Sequence, residues 1–338
     1  MKFGICADFR NPKKWYRPAP SLYNSLIDQV VLAEKLGFEN CWLTEHHFTE
    51  DGYNPSLLAA ASAIASRTDT IRIGSFILLL PFISPLRAAE DISFVDILSN
   101  GRFDFGVGQG YSFHEFNGFC ISRTERGARY KENLNVIKRL FTERSVTHEG
   151  KFSNFKEARL SPKPVQKPYP PIWVGARGPK AIQRAAEDGY NLIATFGKDP
   201  APLYVETLKK CGRDPKDFRI GQLRMVYLAD DEDQAWNEVQ EHLFHAIDFY
   251  TDIVTDALDA EGDENYGVVK KPEEIRHSPL KDVVMVGSPS VVQKKMRHFV
   301  DNFDCTDLVV YMQFPGLDIA KANYSMELFA KHIMPMFD

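Results

Sequence analysis

Phe3-Gly4-Ile5-Cys6-Ala7-Asp8-Phe9-Arg10-Asn11-Pro12 is the stretch on which the fold turns. Residues 3–8 read as a short apolar strand, and a charged segment stopped by proline follows it. An open doubly wound sheet that binds dinucleotides carries a G-x-G-x-x-G turn directly after its first strand, because backbone must approach a pyrophosphate there. That turn is missing here. A chain that alternates strands and helices without it is better read as a barrel.

The alternation is regular. Apolar runs at 40–44, 71–80, 102–107, 171–175, 191–195, 218–228 and 307–313 predict seven further strands. Helical patterns lie between them, such as Leu22, Leu26, Val30 and Ala33 on one face, stopped at Gly37. Other helices are expected at 55–67, 85–98, 125–141, 179–188, 202–211, 231–250 and 288–302, with a last one around 326–334. Eight strand–helix units whose strands are apolar on both faces predict an α/β fold, a TIM (β/α)8 barrel forming a single domain over 1–338. Insertions are expected after strand four, in the proline-rich 145–170, and after strand seven, in the acidic and weakly periodic 251–282.

Composition narrows the function classes. Of 338 residues, 44% are apolar and 26% charged, as expected for a globular protein with a sizeable core. A formal net charge of −5 argues against nucleic acid or an anionic membrane as the main partner. No run approaches the ~20 apolar residues of a membrane span. The first strand begins almost at once, which leaves no room for a signal peptide, so a cytoplasmic protein is expected. Cys6, Cys41, Cys120, Cys211 and Cys305 form no C-x-x-C pair and read as structural.

Barrel enzymes collect their chemistry on the loops that leave the strands. The second strand runs directly into Glu45-His46-His47-Phe48, which puts two imidazoles and a carboxylate at such an exit. Adjacent residues at a strand end point to opposite sides, so His46 and His47 do not share a metal easily, and no third ligand stands at a suggestive spacing. Acid–base or hydrogen-bonding work by one of them is expected. Gly106-Val107-Gly108-Gln109-Gly110 is either a tight turn or a place of close approach to a flat or anionic ligand, with Gln109 or Tyr111 supplying contacts. Val174-Gly175-Ala176-Arg177-Gly178-Pro179 opens a helix, and its free N–H groups beside an arginine suit a phosphate. The run Phe76-Ile77-Leu78-Leu79-Leu80, with Phe9, Phe48, Tyr111 and Phe314, could wall an apolar pocket at the same face.

Taken together, these segments resemble the bacterial luciferase-like family of flavin-dependent monooxygenases over essentially the whole length. The resemblance rests on Lys2-Phe3-Gly4, Gly37-Phe38 leading through Trp42 to Glu45-His46-His47-Phe48, Ile73-Gly74, Leu80-Pro81, and Ser84-Pro85-Leu86-Arg87 with Ala89-Glu90-Asp91. It continues with Asp96 through Leu98-Ser99 to Gly101-Arg102-Phe103, then Val286-Gly287-Ser288-Pro289, Glu327-Leu328-Phe329 and Met334-Pro335. It implies a TIM barrel that takes reduced FMN (FMNH2) from a separate NAD(P)H-dependent flavin reductase. It also implies O2 as co-substrate, reacting through a C4a-peroxyflavin to oxygenate an apolar or aromatic small molecule. His46 would be the catalytic histidine, with His47 in support. Cofactor contacts would fall on Glu45, Phe76, Ile77, Gly108, Gln109, Tyr111, Ala176, Arg177 and Gly178, with a cis non-proline bond near Phe76-Ile77 under the flavin ring. A homodimer and a mobile lid over 251–282 are further implications.

Three positions depart from the luciferase pattern: Gly108 stands in place of a cysteine, Gln109 in place of an arginine, and Arg177 in place of a carboxylate. They weaken light emission as the outcome and leave flavin binding as the expectation. Two alternatives stand beside the monooxygenase: hydride transfer with the deazaflavin F420, and a flavin-binding paralogue without turnover.

Overall fold

The computed structural model describes residues 1–176, 178–195, 199–257 and 269–337. Eight parallel strands close on themselves: β1 (Lys2–Ala7), β2 (Asn40–Leu43), β3 (Arg72–Ser75), β4 (Phe103–Gly108), β5 (Ile172–Gly175), β6 (Asn191–Ala194), β7 (Ile220–Leu228) and β8 (Asp307–Tyr311). β8 pairs with β1 and β7 pairs with both β6 and β8, so the ring of eight strands closes and the fold is a TIM barrel. Helices such as Ala19–Lys35, Pro85–Leu98 and Ile319–His332 form the outer ring, each burying one apolar face.

The period of two along each strand sorts the core into two layers. Ile5, Cys41, Leu43, Ile73, Phe103 and Phe105 face the helices. Cys6, Trp42, Trp173, Ile193, Leu223, Met225 and Val309 fill the barrel. The Trp42 and Trp173 rings meet edge to face at 5.1 Å, and there is room for them because β3 carries glycine beside Trp42. A Cβ on Gly74 would lie 2.3 Å from Trp42 Cε3. The lower end of the barrel is plugged by ion pairs, Arg72 with Asp104 and Arg219 with Asp307.

All eight expected strands are present, with one correction of substance. The run 71–80 is not a single strand. It stops at Ser75, passes through a cis peptide bond between Phe76 and Ile77, and resumes as the two-residue strand Leu78–Leu79 alongside β4. The insertion after β4 holds a short helix, Phe113–Gly118, the long helix Arg126–Thr142, and an antiparallel hairpin of Val146–Glu149 with Asn154–Ala158 that had no strand signal. After β7 the helix Glu232–Ala257 runs beyond Tyr250, so the first part of the expected irregular segment is helical. Residues 258–268 of the expected lid lie outside the described residues, and the chain returns through the 3-10 turns of Pro272–His277 to Met285–Gly287, which adds to β7. Among the described residues, no helix is long and apolar enough to cross a membrane.

Candidate active site

A cavity of about 330 Å³ opens at the exits of the strands and reaches into the barrel. Its floor is built at the break in the third strand. Ser75 Oγ donates to the Gly106 carbonyl at 2.7 Å and accepts from the Gly106 N–H at 2.8 Å, which clamps β3 to β4 just before the cis bond. A Cβ on Gly106 would sit 1.8 Å from the Ser75 carbonyl oxygen, so only glycine permits this approach. Beyond it Ile77 lies across the ends of β4 and β5. Added Cβ atoms on Gly108 and Gly175 would meet Ile77 Cδ1 at 1.8 and 2.8 Å. Two small residues on neighbouring strands thus make room for one branched side chain, and Phe76 and Ile77 line the cavity together. The glycine at 108 therefore has a steric reason in this chain.

The Glu45-His46-His47 run divides its duties. His46, 6% exposed, lines the cavity, and its Nδ1 is 3.0 Å from Glu115 Oε1. His47 turns the other way, with Nε2 2.8 Å from Glu45 Oε1. The second oxygen of Glu45 accepts the N–H of Leu79 at 3.1 Å, tying the exit of β2 to the resumed third strand. Glu45 also lines the cavity, yet its carboxylate is spent on these internal bonds. The two histidines face separate carboxylates, as strand geometry requires.

Glu115 is the partner that sequence reasoning missed. The short helix Phe113–Gly118 delivers it, started by Ser112, whose side chain accepts from the Glu115 N–H. Glu115 is 2% exposed; its Oε1 accepts the His47 N–H at 3.0 Å and faces His46, while Oε2 has no hydrogen-bond partner among the described residues. A buried carboxylate at Nδ1 orients the ring and holds the proton on that nitrogen, which leaves Nε2 to face the cavity. The only advance signal was a serine three residues ahead of a glutamate, an ordinary helix start.

The opposite wall is polar and basic. Arg126 and Tyr130 come from one helix, and Arg184 and Asp188 from the helix Pro179–Asp188, while Gln109 and Tyr111 follow β4. Ala176 is buried and lines the cavity as well. Gly178 caps the helix Pro179–Asp188 and is exposed, outside the cavity lining, and Arg177 lies outside the described residues. The basic groups placed at this wall are thus Arg126 and Arg184, neither of them singled out from the sequence.

A third cluster sits where β1 and β8 meet. Asp8 and Arg10 form a buried pair, with Arg10 Nη2 2.7 Å from Asp8 Oδ2 and 2.5 Å from the Tyr311 hydroxyl. Tyr311 in turn donates to Asp8. Burial disfavours a charged guanidinium, but the adjoining Asp8 overrides it and holds the Arg10 pKa well above its ordinary value. The Arg10 guanidinium lies over the Tyr53 ring at 4.7 Å and near Phe249 at 5.1 Å. Tyr53 and Tyr250 join hydroxyl to hydroxyl at 2.6 Å beside His46, whose ring is 4.6 Å from that of Tyr53. Of the aromatics expected to wall the pocket, Tyr111 does so, whereas Phe48 is 53% exposed, and Phe9 and Phe314 are buried outside the lining.

A family model described as luciferase-like monooxygenase matches residues 1–303. The chain is 26% identical to the oxygenase component of the flavin-dependent trigonelline monooxygenase of Acinetobacter baylyi, over 94% of this chain and 90% of that protein. It is 34% identical to an F420-dependent glucose-6-phosphate dehydrogenase of Microbacterium testaceum, over 55% of this chain and 56% of that one. The crystal structure of the monooxygenase RslO1 from Streptomyces bottropensis superposes with a TM-score of 0.87 at 25% identity, over the full length of both chains. This chain is an enzyme of the luciferase-like monooxygenase family.

Proposed function

We propose that this protein is the oxygenase component of a two-component system: it takes FMNH2 from an NAD(P)H-dependent flavin reductase and uses O2 to oxygenate an apolar or aromatic small molecule. The observation that carries this reading is one cavity with three unlike walls. An apolar floor of Phe76 and Ile77 suits a flat ring, a wall with Arg126, Arg184 and Gln109 suits a phosphate, and His46 backed by Glu115 stands over the remaining side. The two-component character of the trigonelline monooxygenase supports a reductase partner.

FMNH2, when bound, supplies the two electrons that activate O2. The chain's own residues do the rest. Ile77, seated on Gly108 and Gly175, supports the ring plane, and Arg126 and Arg184 neutralise the phosphate, with Gln109, Tyr111 and Ala176 lining the same side. His46 presents Nε2 to the reacting region and holds or releases a proton there, while Glu115 keeps its ring from turning. Glu45 and His47 brace the exit of β2 rather than touch the cofactor. The barrel interior, filled by Trp42 and Trp173, keeps water from entering beneath. The segment 251–282 is proposed as the lid.

Arg184→Ala is expected to weaken FMNH2 binding about five- to twentyfold, the value of one partly exposed charge-assisted contact, with little change in turnover at saturation. Anaerobic titration with FMNH2, FMN and reduced F420 checks this and ranks the cofactors. The F420-dependent relative makes hydride transfer the second reading. Selective binding of F420 by the wild-type protein would replace the first reading with the second.

A homodimer is also proposed. Phe94, Ile97 and Leu98 stand 61%, 37% and 40% exposed on one face of the helix Pro85–Leu98. Sedimentation should give a dimer for the wild type and a monomer for Phe94→Glu, and a wild-type monomer would refute the assignment.

A further inference from the structure

We propose that the Tyr53–Tyr250 hydroxyl pair is the substrate's polar anchor, and that it selects a flat apolar molecule bearing a neutral acceptor oxygen, a carbonyl above all. This deepens the monooxygenase reading and rests on it for the placement of the reacting centre beside His46.

The argument is a proton count. Tyr53 and Tyr250 bring two hydroxyl protons to a contact of 2.6 Å that uses one of them. Neither hydroxyl has another partner among the described residues, so one O–H donor is left over at the cavity, which both side chains line. Burial pushes both phenols well above their ordinary pKa, outweighing the pull of nearby Arg10, so each stays protonated and acts as a donor. The hydroxyl proton left facing the cavity is open to an acceptor there, and a ligand oxygen can take it.

The surroundings decide the charge of the ligand. Tyr311, the other phenol at this end, donates to Asp8 and accepts from Arg10, so it has no proton to give. Arg10 is neutralised by Asp8, and Asp51 Oδ2 lies 3.9 Å from Arg10 Nε, which adds a second negative charge to one guanidinium. Asp51 also meets His245 at 3.4 Å. Two carboxylates, Asp8 and Asp51, thus face the one guanidinium, so it leaves no uncompensated positive charge to hold a carboxylate, and a neutral acceptor is the better ligand. The remainder of this end, including Leu223, Met225 and Cys6, is apolar and suits the ring that carries the oxygen.

Three matched probes test the anchor: 2-acetylnaphthalene, 2-isopropylnaphthalene and 2-naphthoate, each titrated into the full-length protein with and without FMN. The ketone should bind about five- to tenfold tighter than the hydrocarbon, the worth of one neutral hydrogen bond, and naphthoate should bind weakest. In Tyr53→Phe/Tyr250→Phe the ketone and hydrocarbon should become equal, while FMN affinity stays unchanged. Thermal unfolding of the double variant, beside each single Tyr→Phe variant and the wild type, shows whether it retains the fold. Equal binding of ketone and hydrocarbon to the wild type, a preference that survives in the folded double variant, or tightest binding of naphthoate would each overturn the proposal. Failure of the wild type to bind FMN would overturn the flavin reading instead, and the ketone comparison would still decide the anchor.

Discussion

His46→Ala should lower turnover by about 10²–10³-fold, with FMNH2 affinity changed by less than about threefold. The histidine lines the cavity with one nitrogen committed to Glu115 and the other facing inward, so its removal takes away a proton-handling group rather than a binding wall. Glu115→Gln keeps the shape but removes the charge that orients the ring, and it should cost about tenfold in turnover. The double variant should be no worse than His46→Ala, because Glu115 acts through the imidazole. Rapid-reaction measurement of product formation, beside a flavin titration of each variant, separates the two effects. Unchanged flavin oxidation and product formation in His46→Ala would favour a flavin-binding paralogue without turnover.

Gly106→Ala should destabilise the protein by about 3 kcal/mol or more and lower Tm by roughly 5–10 °C in thermal denaturation. The added methyl would lie 1.8 Å from the Ser75 carbonyl oxygen, a backbone atom in a closed barrel that cannot swing aside as a side chain could. Ser75→Ala removes only the paired hydrogen bonds to Gly106 and should cost about 1 kcal/mol. Because β3 and β4 position Ile77, Gly106→Ala should also weaken FMN binding in whatever fraction folds. A wild-type Tm for Gly106→Ala would mean that the strands sit farther apart than described.

The barrel was legible in the sequence because parallel strands buried on both faces leave apolar runs, and all eight runs mark strands. The break inside 71–80 left no mark in the apolar pattern, since no proline or glycine stands at 76–77, and only the family resemblance pointed to a cis bond near Phe76-Ile77, where the structure has one. His46 was found by its place at a strand exit. Glu115 was not, because it is 69 residues away and is carried in by a six-residue helix with little periodicity to detect. Asp8 and Tyr311 are 303 residues apart, and only closure of the barrel between β1 and β8 makes them neighbours. The basic wall shows a similar limit. A helix start with an arginine pointed to 177–178, whereas Arg126 opens the helix Arg126–Thr142 and Arg184 lies within Pro179–Asp188, where sequence gives them no mark apart from charge.

Incubation with a flavin reductase, NADH, FMN and a panel of aromatic compounds under ¹⁸O₂ tests the central claim most directly. The account predicts an organic product carrying one atom of the label, formed only when protein, reductase and FMN are all present. Product without label, or turnover under argon with reduced F420 in place of FMN, would contradict it.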